Sequence, residues 1–259
     1  MNGTLRMTHI STRFGGVLLG LLLLCGGKAS AAEHYLDDAQ LHAAVALLPA
    51  PSPLGTAEDI ADRSTTFHAY TTRTAEEAAQ AKADEEFSAF SFATVLGPGF
   101  TAERLPHTAA LFDEVKKEAN KAKNEAKQGF RRERPCPVNS CQWDPEGDAQ
   151  DWKNRDYGYP SGHSTRATVF AMLLGHLLPQ RAEALDRYAR EVGWRRVIRG
   201  VHTPQDIYAG RVLGQALARD FLASPAMRAD LDAAARELDA AGFTTDAAPT
   251  KYATAKARG

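Results

Sequence analysis

The stretch S-T-R-A-T-V-F-A-M-L-L-G-H-L-L, Ser164 to Leu178, decides the fold. Val169, Phe170, Leu173, Leu174, Leu177 and Leu178 make it strongly apolar, and it reads as a central buried helix. After it, residues 180–198 are amphipathic, with Leu185, Tyr188, Val192 and Trp194 spaced for one face. Residues 204–222 read as helix, with Pro204 in the first turn, where its missing N–H does no harm. Residues 226–241 form a last helix that stops at Gly242. Before it, residues 108–128 show an apolar face at Leu111, Phe112 and Val115, and residues 74–89 are rich in Ala and Glu. A short helical stretch at 39–48 runs into the connector P-A-P-S-P-L-G, which must be extended. No strand pattern and no internal repeat stands out. The expected class is all-α, a helical bundle around the 164–178 helix.

The chain has 259 residues, enough for one sizeable domain, and 44% hydrophobic with 24% charged residues is ordinary for a soluble globular protein. The first residues read differently. Arg6, His9 and Arg13 precede the apolar run G-V-L-L-G-L-L-L-L-C and then A-S-A-A, which is the layout of a secretory signal peptide over 1–31. The run is short of the roughly 20 residues a bilayer span needs. Cys25 suggests a lipoprotein, but the bulky Leu24 before it argues against that. No later stretch is long and apolar enough to span, so the mature chain is expected to be periplasmic or secreted. Residues 32–245 then form one helical domain and 246–259 a frayed tail.

Loss of the leader removes Arg6, Arg13 and Lys28 and no acid, so the net charge of −1 falls by three. Nothing here points to nucleic acid, and attraction for an anionic ligand must be local. Cys136 and Cys141 remain as an even pair in an oxidising compartment, separated by P-V-N-S. They can close a small disulfide or stay as two separate thiols; export favours the disulfide.

Three clusters carry chemistry. The first is K-Q-G-F-R-R-E-R-P, Lys127 to Pro135; the second Y-P-S-G-H-S, Tyr159 to Ser164; the third R-R-V-I-R-G-V-H-T-P-Q-D, Arg195 to Asp206. A phosphoryl group needs cations on its non-bridging oxygens, an in-line nucleophile, and an acid for the leaving oxygen. Lys127, Arg134 and Arg196 supply the cations, the arginines as bidentate clamps. Ser161 and Gly162, just before a helix, can offer N–H groups and a hydroxyl to an oxyanion. His163 and His202 supply two imidazoles. Each cluster alone has a plainer explanation. Pro-Ser-Gly-His can be a capped turn, and Thr203 to Asp206 resembles a capping box in which Asp206 merely holds a backbone N–H. The joint order and spacing carry the weight.

Those residues resemble the pattern K-x6-R-P, P-S-G-H, S-R-x5-H-x3-D of the type 2 phosphatidic acid phosphatase (PAP2) superfamily. Within it, E-F-S-A-F-S-F-A-T-V-L-G-P-G-F from Glu86 to Phe100 and T-A-A-L-F from Thr108 resemble the bacterial class A non-specific acid phosphatases. The resemblance implies a PAP2/haloperoxidase-like helical fold and a metal-independent acid phosphatase of broad range, with no cofactor. It implies that His202 is the nucleophile that becomes a phosphohistidine. Asp206 would orient His202, and His163 would be the acid and then the base. Lys127, Arg134, Ser161, Gly162 and Arg196 would bind phosphate. Arg195 departs from the family's serine. It either adds a cation near the pocket or points to solvent beside Trp194.

Two other activities fit the same pattern. A vanadium-dependent haloperoxidase would hold vanadate in place of phosphate, but such enzymes are usually much longer. A lipid-phosphate phosphatase would need several membrane spans. Substrates are expected to be small phosphomonoesters. The family often forms homo-oligomers. Activity should fall as pH rises well past an ordinary imidazole value of about 6.5.

Overall fold

The computed structural model describes Met1, residues 34–135 and residues 157–244. The expected leader, the Cys136–Cys141 pair and the tail from 246 lie outside these residues. What is described is all-helical, with no strand among the described residues.

In chain order the helices are α1 (Asp38–Ala46), α2 (Ala57–Thr72), α3 (Ala75–Ala83), α4 (Ala93–Leu96), α5 (Pro106–Phe130), α6 (Gly162–Leu177), α7 (Ala182–Ile198), α8 (Pro204–Ala223) and α9 (Arg228–Ala240). Their starts follow local chemistry. Asp37, Thr56, Thr74, Ser161 and Thr203 each accept a backbone N–H from the turn they open. Pro106 and Pro204 sit in first turns, where no N–H is needed. α5 ends at Arg131, which turns left-handed at φ 50°.

The expected central helix is α6. Leu173, Leu174, Val169 and Phe170 are buried in one continuous core with Leu111 of α5, Leu185 of α7 and Leu213 of α8. Truncating one such leucine to alanine costs about 2–5 kcal/mol in transfer and cavity terms. α6 and α8 approach closely because two glycines leave room. A Cβ on Gly210 would lie 2.5 Å from the Ser161 carbonyl oxygen, and one on Gly214 would lie 2.7 Å from that of Thr165. This contact fixes the start of α6 against the start of α8. There the Ser161 N–H donates to the Asp206 carbonyl at 2.9 Å, and the Ser164 hydroxyl donates to that of Ile207 at 2.7 Å.

Two differences from the sequence reading matter. The helix expected over 74–89 ends at Ala83; a tight turn at Asp84–Glu86 follows, and Phe87 drops into the core. The second difference is α2, which the apolar pattern does not announce. Its buried residues are Asp59, Thr66 and Tyr70, so it packs through polar groups. The Gly158 N–H donates to the Arg132 carbonyl at 2.8 Å, which ties the residues before α6 to those just after α5.

Candidate active site

The first turn of α8 builds the centre. Thr203 Oγ1 accepts the Asp206 N–H at 3.3 Å, and Asp206 Oδ2 accepts the Thr203 N–H at 2.9 Å. The same Oδ2 lies 3.3 Å from His202 Nδ1. The capping box and the His–Asp pair are therefore one arrangement. On the other side of the ring, Arg134 Nη1 lies 3.3 Å from His202 Nε2 while it donates to the Val201 carbonyl at 2.7 Å. Arginine can only donate and a carboxylate can only accept. His202 thus carries its proton on Nδ1 and presents a lone pair at Nε2.

Asp206 is completely buried. Burial raises its carboxyl above the usual range, while Arg132, the Thr203 N–H, Arg134 and Lys127 pull it back. Lys127, in the last turn of α5, is buried and donates to the Tyr157 carbonyl. Arg196 sits in the last turn of α7, and its own carbonyl accepts the N–H groups of Val201 and His202 at 3.2 and 3.3 Å. The residue is 7% exposed, and Nε and Nη1 have no hydrogen-bond partner among the described residues. Burial, with Arg199 and Arg134 nearby, lowers this guanidinium to about 9. A buried cation with unmet N–H groups is costly unless an anion completes it.

Ser161 and Gly162 stand at the start of α6, as expected, but the Ser161 N–H is committed to Asp206. The Ser161 hydroxyl accepts the Ser164 N–H at 3.4 Å, which leaves its proton free to donate. His163 is the second residue of α6. Its Nε2 lies 3.4 Å from the Glu85 carbonyl, and its ring centroid lies 6.4 Å from that of Phe87. Burial holds its imidazole well below 6.5, and the charges of Arg196, Arg166 and His202 add to this. His163 stands two residues after Ser161, whose N–H is held by the Asp206 carbonyl, so the start of α6 adjoins the start of α8.

The cations are suited to an anion with a tetrahedral oxygen shell, with one imidazole before the start of α8 and a second at the adjoining start of α6. Residues 118–229, from the middle of α5 to the start of α9, match the PAP2 superfamily. The chain carries a PAP2 superfamily domain. That domain spans Lys127, Arg134, Ser161, Gly162, His163, Arg196, His202 and Asp206.

Beyond the PAP2 domain the similarity extends to curated proteins. A non-specific acid phosphatase of Salmonella typhi is 29% identical over 184 residues, covering 69% of this chain and 73% of the relative. One of Providencia stuartii is 26% identical over 212 residues, covering 79% and 84%. An acid phosphatase of Zymomonas mobilis is 26% identical over 219 residues, covering 83% and 80%.

Arg195 does not point to solvent. Its Nε pairs with Asp84 at 2.5 Å, Nη1 lies 3.4 Å from Glu191, and the guanidinium stands 5.3 Å from the Tyr188 ring centre. It ties α7 to the turn after α3. Arg199, buried, pairs with the neighbouring Glu85. The site also uses residues that the three clusters do not single out. Arg132 reaches Asp206 Oδ1 at 3.1 Å, and Asp59 and Asp62 of α2 hold it from behind at 3.0 Å each. Arg63 of α2 donates to the Arg134 carbonyl at 3.0 Å, and the Thr66 hydroxyl donates to that of His202 at 3.3 Å. Arg132 lies inside the first cluster, but nothing in the sequence separates it from exposed Arg131.

Proposed function

We propose that this chain is an exported acid phosphatase that hydrolyses phosphomonoesters through a phosphohistidine on His202. The hydrolase class is supported by the PAP2 domain and by relatives named as acid phosphatases. The observation that carries the mechanism is the placement of His202, with Nδ1 3.3 Å from Asp206 Oδ2 and Nε2 3.3 Å from Arg134 Nη1.

In the first step Nε2 attacks phosphorus and the ester P–O bond breaks. The electron pair leaves with the alkoxide, which takes its proton from His163 Nε2. Nδ1–H stays on Asp206, which stabilises the ring as it becomes positive. Arg196, Arg134 and Lys127 hold the non-bridging oxygens as charge redistributes. In the second step His163 removes a proton from water, the water oxygen attacks phosphorus, and the P–N bond breaks to release phosphate. These contacts all address the phosphoryl group, which fits a broad range of alcohols. Export rests on the leader-like residues 1–31.

Acid-labile, base-stable label on His202 after quenching turnover of a labelled phosphomonoester is the expected result. A His202→Ala protein that keeps most of its turnover sinks the assignment.

A further inference from the structure

We infer that Arg132, gripped by Asp59 and Asp62 of α2, is a positioning residue that keeps Asp206 ionised and thereby fixes which nitrogen of His202 attacks. The inference rests on the reading of His202 as nucleophile. Both oxygens of Asp206 are taken. Oδ2 serves the Thr203 N–H and His202 Nδ1, and Oδ1 receives Arg132 Nη1 at 3.1 Å. The carboxylate cannot rotate without losing one set. Arg132 is fixed in turn. Nη1 also donates to Thr203 Oγ1 at 3.2 Å, and Nη2 donates to Asp59 Oδ1 and Asp62 Oδ2 at 3.0 Å each.

The two acids are themselves anchored. The second oxygen of Asp59 accepts the Gly55 N–H at 3.0 Å, and Arg63 Nε sits 3.0 Å from both its oxygens. Asp62 Oδ1 accepts the Gln205 N–H at 2.9 Å, inside the first turn of α8. α2 therefore grips the first turn of α8, just after His202, directly and through Arg132. Three buried or nearly buried carboxylates face Arg132, with Arg63 as the other cation on Asp59. Without Arg132, Asp206, the most deeply buried of the three, is the acid that gains most by taking a proton. A protonated Asp206 can donate to Nδ1, which moves the ring proton to Nε2 and removes the attacking lone pair.

A merely structural Arg132 predicts a different pattern from a positioning one. The test uses the full mature chain and the R132K and R132M variants, with melting temperature and single-turnover phosphorylation of His202 followed against pH. R132K keeps the charge but cannot span Asp206, Thr203 and both α2 acids at once. It should melt close to the unsubstituted protein while phosphorylation slows roughly 10- to 100-fold, the usual scale for a lost orienting partner. In R132M the loss of a cation beside Asp206 and His202 raises the pKa of the pair, so the acid limb of the phosphorylation rate should move to higher pH.

R132M/D59N/D62N removes the stranded acids and covers the case in which R132M does not fold; it should fold and stay slow. The inference is overturned if R132K phosphorylates at the unsubstituted rate. It is equally overturned if the acid limb stays in place, or if the triple variant recovers full speed. Each of those leaves the His202 assignment standing when the unsubstituted protein is labelled on His202. Absence of that label overturns the nucleophile itself.

Discussion

Asp206 Oδ2 lies 3.3 Å from His202 Nδ1 while it accepts the Thr203 N–H at 2.9 Å. One carboxylate oxygen thus orients the proposed nucleophile and caps α8, the helix that begins two residues after it. Asp206→Ala should therefore lose activity and stability together. It removes an N-terminal capping partner, worth about 1 kcal/mol. It also strands Arg132 beside Asp59 and Asp62 without its third acid, and breaking a buried ion pair typically costs about 3–5 kcal/mol. Asp206→Asn keeps an oxygen for one of these contacts and should unfold at higher urea than Asp206→Ala, yet remain strongly impaired in turnover. Equal denaturation midpoints for the two variants would contradict the shared role.

The depressed imidazole of His163 sets two pH dependences. Its folded-state pKa lies well below 6.5 through burial, Arg196, Arg166 and His202. The unfolded chain therefore takes up a proton first as pH falls. The stability contributed by neutral His163 is present above 6.5 and is lost as pH drops toward the folded value. A bound phosphate anion offsets the nearby cations and raises the imidazole. Phosphate should therefore protect the fold more at acid pH than at neutral pH, and more than it protects His163→Ala. In the proposed mechanism the protonated form is the acid. The falling limb of kcat/KM should lie below 6.5, and that of kcat should lie at higher pH, where phosphoryl is bound. His163→Ala should lose more on alkyl than on aryl phosphates; equal losses would speak against the acid role.

Arg196 should show opposed effects on folding and binding. Its Nε and Nη1 are buried without partners among the described residues, and burial lowers it to about 9. Arg196→Met removes that unmet cation and should leave the ligand-free protein more stable, by about 1–3 kcal/mol from the cost of an unsatisfied buried group. The same variant should lose the stabilisation that phosphate gives, which at a hundredfold excess over Kd is about 2.7 kcal/mol. Thermal melts with and without phosphate measure both. A variant that phosphate stabilises as fully as the unsubstituted protein would remove Arg196 from the anion site.

What the sequence discloses follows from how each residue is held. α6 is legible because its burial is apolar; Val169, Phe170, Leu173 and Leu174 form a run that only a core explains. The three clusters are legible because their residue types and spacings are unusual together. α2 is hidden because it is buried through Asp59, Thr66 and Tyr70, which read as a solvated face until Arg132 is found opposite. The commitment of the Ser161 N–H is hidden too. It depends on Gly210 and Gly214 letting α8 approach α6, a distance that neither helix encodes alone. The Thr203–Asp206 spacing offers a cap or a catalytic pair as alternatives, and the geometry combines them because Oδ2 reaches both donors.

Arg195 stands beside Arg196 in sequence and apart from it in role. Its guanidinium is 2.5 Å from Asp84, in the turn whose next residue, Glu85, places its carbonyl 3.4 Å from His163 Nε2. Both partners are about nine-tenths buried, at 12% and 10% side-chain exposure. Arg195→Ser should therefore strand Asp84 and destabilise the protein by about 3 kcal/mol, toward the lower end for a broken buried pair. Asp84→Ser in the same chain should restore much of that loss, since removing both charges costs less than removing one. Competitive inhibition by inorganic phosphate should be unchanged in the double variant, because Arg195 binds the α3 turn and not the anion. If Arg195→Ser instead weakens phosphate binding as much as Arg196→Met does, with the melting temperature intact, then Arg195 belongs to the phosphate cradle and the Asp84 pair is incidental.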